Sequence, residues 1–301
     1  MMIQPNDRTL QERFQFIPSL IVFLLSLFMI NALLHIVLKD FLNCGRDFCL
    51  GHSKSSWSFV LLDSFFLAML ITCTAFVKFK YKTFQRFGLA FIRPGVRQFV
   101  YGLMGGVALV SVFFYLTISL GFAEFDWRVS DIYRSLTNDY FIDMYSFSAY
   151  ILILHVTALA VSVEIGFRGF LLPLLMSGFN KTIAVFASSF LFGLWQPIPS
   201  LTYNWEMPSV FYGYSAFAFA AFGVFSSVLA LKTRMIWMSI GLHIGFMLIF
   251  YYSDLFGIYY RYFIPKAAMI LLGVMFLILA AIVYYGAGWL GKVAKFIHRN
   301  D

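Results

Sequence analysis

Val161-Ser162-Val163-Glu164-Ile165-Gly166-Phe167-Arg168-Gly169 sets a carboxylate and a guanidinium into an otherwise apolar run. A second stretch, Phe192-Gly193-Leu194-Trp195-Gln196, follows after a turn. Charged groups are costly in hydrocarbon, so they need partners. Glu164 and Arg168 stand four residues apart, one above the other on one helical face, where they can pair. The apolar segments on either side fold back near Asn180, and Glu164 and Gln196 each lie 16 residues from it. At about 1.5 Å per residue they fall at nearly equal depth in two antiparallel helices. Polar groups at one depth describe two things equally well: a buried site and a polar clamp between helices.

Composition sets the surroundings. Of 301 residues, 61% are hydrophobic and 12% charged, which excludes an ordinary soluble domain. It predicts an all-α, polytopic helical bundle in the lipid bilayer. The 38 Phe and 17 Tyr supply lipid-facing and interfacial surface, and the net charge of +8 is spread over short loops and the tail. No nucleic-acid partner is implied. The first apolar run is too long for a removable signal peptide and is expected to stay as a span.

About eight transmembrane helices are expected, at 16–38, 57–77, 98–121, 148–175, 182–197, 209–231, 235–252 and 267–288. Lys78, Lys80, Lys82, Arg86, Arg93 and Arg97 alternate with aromatic residues in a segment that reads as interfacial and closes at Pro94. Gly102, Gly105 and Gly106 permit close helix approach in the third span. In the sixth, Ala216/Ala220 and Gly223/Ser227 form a small-residue face, a candidate docking surface together with the outer loops. With both termini cytoplasmic, the inner segments carry 14 Lys and Arg against 7 in the outer loops, which favours that orientation. The whole chain reads as a single membrane domain.

Three cysteines are too few for a disulfide framework. Cys44 and Cys49 share one loop with His52, where a local disulfide remains open and a zinc site lacks a fourth ligand. Asn31, His35, Asp63 and His155 read as interhelical contacts. Neither an inverted repeat nor a pair of broken helices supports a transporter.

Glu-x-x-x-Arg-Gly on one span, Phe-Gly-Leu-Trp at the end of the next, and Gly-Leu-His two spans later resemble the CAAX protease and bacteriocin-processing family (CPBP, or Abi) of intramembrane endopeptidases. The family pattern is Glu-Glu-x-x-x-Arg, then Phe-x-x-x-His, then His-x-x-x-Asn/Asp. The resemblance covers about residues 80–255, leaving helices at 16–77 and 267–288 outside. It implies a CAAX-protease-like core and makes Glu164 and His243 the remnants of a catalytic set. The departures are Val163 for the first Glu, Gln196 for the second motif's His, and Met247 for Asn or Asp. Val163 accepts no proton, Gln196 moves none near neutrality, and Met247 offers a thioether in place of a polar side chain. Glu164 is a weak base beside Arg168. Glu164 and His243 make two metal-ligand candidates where three are usual, so neither metal nor cofactor is expected.

Val163–Arg168 and His243–Met247 are most similar to the degenerate, lysostaphin-resistance-protein branch of that family. That similarity implies a scaffold or regulator of another membrane or cell-envelope protein, such as a cell-wall hydrolase or sensor kinase, in a bacterial cytoplasmic membrane. Glu164, Arg168, Gln196 and His243 then form a structural polar cluster. The alternative is an active intramembrane endopeptidase working with Glu164 and His243.

Overall fold

The computed structural model describes residues 93–125, 156–195, 209–251, 258–259 and 266–297, with isolated positions at 18–19, 21–22, 26, 29, 71–72, 75 and 153. Apart from those isolated positions, the first two expected spans lie outside the described residues, as do the Cys44/Cys49 loop, the basic segment before residue 93, His155 and Gln196. Among the described residues, six continuous helices follow in order: α1 Arg93–Ser119, α2 Val156–Gly178, α3 Lys181–Trp195, α4 Ser209–Thr233, α5 Trp237–Tyr251 and α6 Lys266–Ile297. They correspond to the third to eighth expected spans. α1, α2, α4 and α6 contain stretches long and apolar enough to cross a bilayer, whereas α3 and α5 are shorter apolar helices. The protein is an integral membrane protein with a helical, polytopic core.

The ends of the helices have local causes. α1 starts one residue before Pro94, because a first-turn position needs no proline N–H. It stops at Gly121, whose φ of 72° lets Phe122 N–H reach the Thr117 carbonyl at 2.8 Å and Gly121 N–H the Ile118 carbonyl at 3.0 Å. That is the glycine-terminated cap. The α2–α3 turn falls at Asn180, as the sequence predicts. The Asn180 side-chain oxygen accepts from Ile183 N–H at 2.9 Å and caps α3. α3 ends at Trp195, before Pro197.

Two features went unforeseen. Residues Ile165–Leu171 of α2 are wound as a π-helix, in which Leu172 N–H bonds to the Phe167 carbonyl. The widened turn precedes Pro173, which has no N–H for the ladder. Outside the helices, Glu124–Phe125 (β1) pairs antiparallel with Ile258–Tyr259 (β2) and ties the segment after α1 to the segment after α5.

Small residues set how the helices meet. α1 and α5 run parallel, backbone to backbone. A Cβ on Gly102 would strike the Met238 carbonyl oxygen, and one on Gly106 the Leu242 carbonyl oxygen. From the other side, Gly241 and Gly245 face the Phe99 and Leu103 carbonyls. α3 packs antiparallel on α4: a Cβ on Gly193 would strike the Ala216 carbonyl and lie 2.6 Å from Ala220 Cβ, and Gly223 faces Ser189. The small-residue face of α4 is therefore used inside the bundle against α3. This corrects its reading as a docking surface; its function is intramolecular helix packing.

Candidate functional site: a buried carboxylate shared by three helices

α2 is the central helix, with 78% of its apolar window buried. It presents Glu164 where α4 and α5 converge. Glu164 is 0% exposed, and Arg168 and His243 are each 1% exposed. Nothing from solvent satisfies them, so their partners must come from the protein.

Both carboxylate oxygens are engaged. Ser226 of α4 donates its Oγ–H to Glu164 Oε2 at 2.8 Å. His243 Nδ1 of α5 lies 3.0 Å from Oε1. Arg168 Nη1 stands 3.4 Å from the same oxygen, within ion-pair range but without a hydrogen bond. Ser239, one turn before His243, donates to the Ser226 carbonyl at 3.0 Å. The contacts close a ring that runs from α5 through α4 and α2 and back to α5.

Arg168 is held differently from Glu164. Among the described residues, none of its three guanidinium nitrogens has a hydrogen-bond partner. Instead its Cζ lies 4.3 Å from the centre of the Phe192 ring and 6.0 Å from those of Phe167 and Phe222. A guanidinium over aromatic faces is attracted by their negative centres, more strongly when desolvated. Phe222 also meets the His243 imidazole edge to face at 4.9 Å. Aromatic rings thus pack directly against the polar cluster.

The expected positions divide as follows. Glu164, Arg168 and His243 meet; Gln196, which follows the last described residue of α3, lies outside the described residues. Val163 is fully buried in the apolar core and Met247 is 1% exposed. Met247 and His243 share the wall of a cavity of about 10 Å³ with Phe219, Phe222, Phe246 and Phe276, room for about one water molecule. Ser226 is the participant that sequence reasoning missed. Its only signal was an adjacent serine pair, Ser226-Ser227, in an apolar span, and serines in such spans most often bond to their own helix, as Ser162 does to the Ala158 carbonyl. Among the described residues, no group of three His, Cys, Asp or Glu gathers where a metal ion would sit.

Residues 145–249 match the family profile described as type II CAAX prenyl endopeptidase Rce1-like. Over that span, the chain is similar to CAAX-protease-like membrane proteins. The Rce1-like segment contains Glu164, Arg168, Ser226 and His243, all of α2 to α4, and α5 as far as Ile249. α1 and α6 lie outside it and flank α5 and α4. No curated protein matches the chain.

Proposed function

We propose that this CAAX-protease-like protein is a pseudoenzyme that acts as a scaffold or regulator of another membrane or cell-envelope protein. The observation that carries the reading is the replacement at the first motif. Fully buried Val163 stands beside Glu164 where the family pattern has its first Glu. Without it, hydrolysis would need Glu164 itself as base, and both oxygens of Glu164 are committed to neighbouring helices. Two further features support the reading. Met247 replaces Asn or Asp on the wall of the cavity beside His243, and that cavity admits about one water molecule between Phe and Met side chains. In this account the whole chain is one membrane domain, and Glu164, Arg168 and His243, with Gln196, serve as a clamp.

The bacterial cytoplasmic membrane, with both termini inside, is the proposed setting. Arg97, Lys181, Lys232 and Arg234 gather at the end of the bundle where α1, α3 and α5 begin and α4 finishes. Lys232 is anchored there by the Tyr284 carbonyl at 2.9 Å. Glu124 sits at the opposite end with the β1–β2 pair. Positive charge marks the cytoplasmic side.

One observation favours a second reading, an active intramembrane endopeptidase: the carboxylate–imidazole pair of Glu164 and His243 at 3.0 Å is a known way to orient a general base. Affinity purification of the tagged protein in mild detergent separates the two. A membrane or cell-envelope chain retained in stoichiometric amount by both wild type and His243→Ala is expected for the scaffold. An uncut precursor trapped by His243→Ala, with no stable partner of wild type, would establish the protease instead.

A further inference from the structure

The geometry points to Ser226 as the positioning residue that fixes which nitrogen of His243 carries the proton. Oε1 of Glu164 faces the Arg168 guanidinium at 3.4 Å and His243 Nδ1 at 3.0 Å. The guanidinium is a buried cation at ion-pair distance from Oε1, which favours an ionised carboxylate that only accepts, so the proton between Oε1 and Nδ1 belongs to the ring. In the neutral imidazole, Nε2 then keeps its lone pair. This arrangement requires the carboxylate to hold one rotation. Ser226 supplies it by donating to Oε2 at 2.8 Å from α4, while Ser239 holds the Ser226 backbone against α5, one turn from His243.

Arg168 makes the restraint necessary. Its guanidinium is buried, has no hydrogen-bond partner among the described residues and lies next to Oε1. The terminal torsion of a Glu side chain is broad. With the Ser226 hydroxyl absent, the carboxylate is free to turn toward the guanidinium, which has donors to spare. His243 Nδ1 then loses its acceptor, and the ring relaxes toward the tautomer protonated at Nε2. The inference rests on reading Glu164 as a fixed acceptor between helices. It concerns the protein alone, without a partner.

The test is two-bond nitrogen–proton correlation spectroscopy on full-length protein labelled with 15N-histidine in detergent micelles. The chain has 5 His, and loss of one signal set in His243→Gln identifies His243. In wild type and in Ser226→Thr, which keeps the hydroxyl, Nδ1 is expected as the protonated, pyrrole-type nitrogen and Nε2 as the pyridine-type one. In Ser226→Ala the two types are expected to exchange, or to average. Protonation at Nε2 in wild type overturns the inference without any variant. So does Ser226→Ala that retains wild-type helicity and a single elution peak together with the Nδ1–H form. Should Ser226→Ala not fold, Ser226→Cys, with a weaker donor, carries the same comparison. Partner retention in the co-purification is independent of these outcomes, so this inference and the scaffold reading fail separately.

Discussion

Two seams hold this bundle together by opposite means. Between α1 and α5 the contact is bare backbone: Gly102 and Gly106 on one side, Gly241 and Gly245 on the other, each where a Cβ would meet a carbonyl oxygen. Between α2, α4 and α5 the contact is the Glu164 carboxylate of α2, paired with Arg168 on its own helix, which accepts from a hydroxyl of α4 and meets an imidazole of α5. In lipid there is little hydrophobic force between helices, so association depends on close packing and on polar contacts. The glycine seam uses the first and leaves no polar side chain to satisfy. The polar seam uses the second, and every group in it becomes a liability when its partner goes. A fold that needed only cohesion could have used glycine throughout. The polar seam lies inside the segment that matches the Rce1-like profile.

Substitutions should separate the seams, and four expected effects rank by size. Gly241→Val should be the most damaging, because the Phe99 carbonyl and Leu103 N–H of a facing helix must move. We expect a loss beyond the about 1–3 kcal/mol of ordinary overpacking, read as failure to elute as a single folded species. Glu164→Ala comes next. It strips the acceptor from Ser226 and His243 and the counter-charge from Arg168 together, and should cost on the order of 3–5 kcal/mol, seen as a lower melting temperature in detergent. Ser226→Ala removes one hydrogen bond and should cost about 0.6–2 kcal/mol, measured by the same melt. Gly105→Ala sharpens the comparison. Its Cβ would lie 3.9 Å from Leu242 Cδ1, and alanine favours a helix by up to about 1 kcal/mol over glycine, so the melt should stay level or rise slightly. A large loss at Gly105 would mean that the seam is sensitive to glycine content in general and not to the backbone contacts named.

Much of the fold was legible because the bilayer writes it in lengths. Long apolar runs, the turn at Asn180 and the glycines of α1 all appear in the sequence as spacing and residue size, which is what membrane helices are built from. Partners across helices are written less clearly. Gly102 and Gly106 were readable as small, but not that α5 meets them with Gly241 and Gly245, since no pattern links residues more than a hundred positions apart. Ala216, Ala220 and Gly223 looked like a free face for the same reason; α3 covers them. Within the site, Glu164 and Arg168 stood out as expensive groups in hydrocarbon, and His243 through the Gly-Leu-His resemblance. Ser226 did not, because a hydroxyl costs little there and satisfies itself on its own helix. The π-helix at Ile165–Leu171 was equally silent, although Pro173 two residues beyond it was a cue to irregular winding.

The account's central claim is that the retained charges, Glu164 and Arg168, form a buried structural pair and not a reaction centre. A double-mutant cycle tests it most directly: melting of Glu164→Ala, Arg168→Ala and the double variant in one detergent. If the pair acts as a clamp, each single variant melts well below wild type, and the double variant loses clearly less than both losses added. Removing the second charge relieves the group that the first removal left buried and unpaired. Single variants that melt with wild type, or losses that simply add, would contradict the clamp and return Glu164 to consideration as a catalytic group.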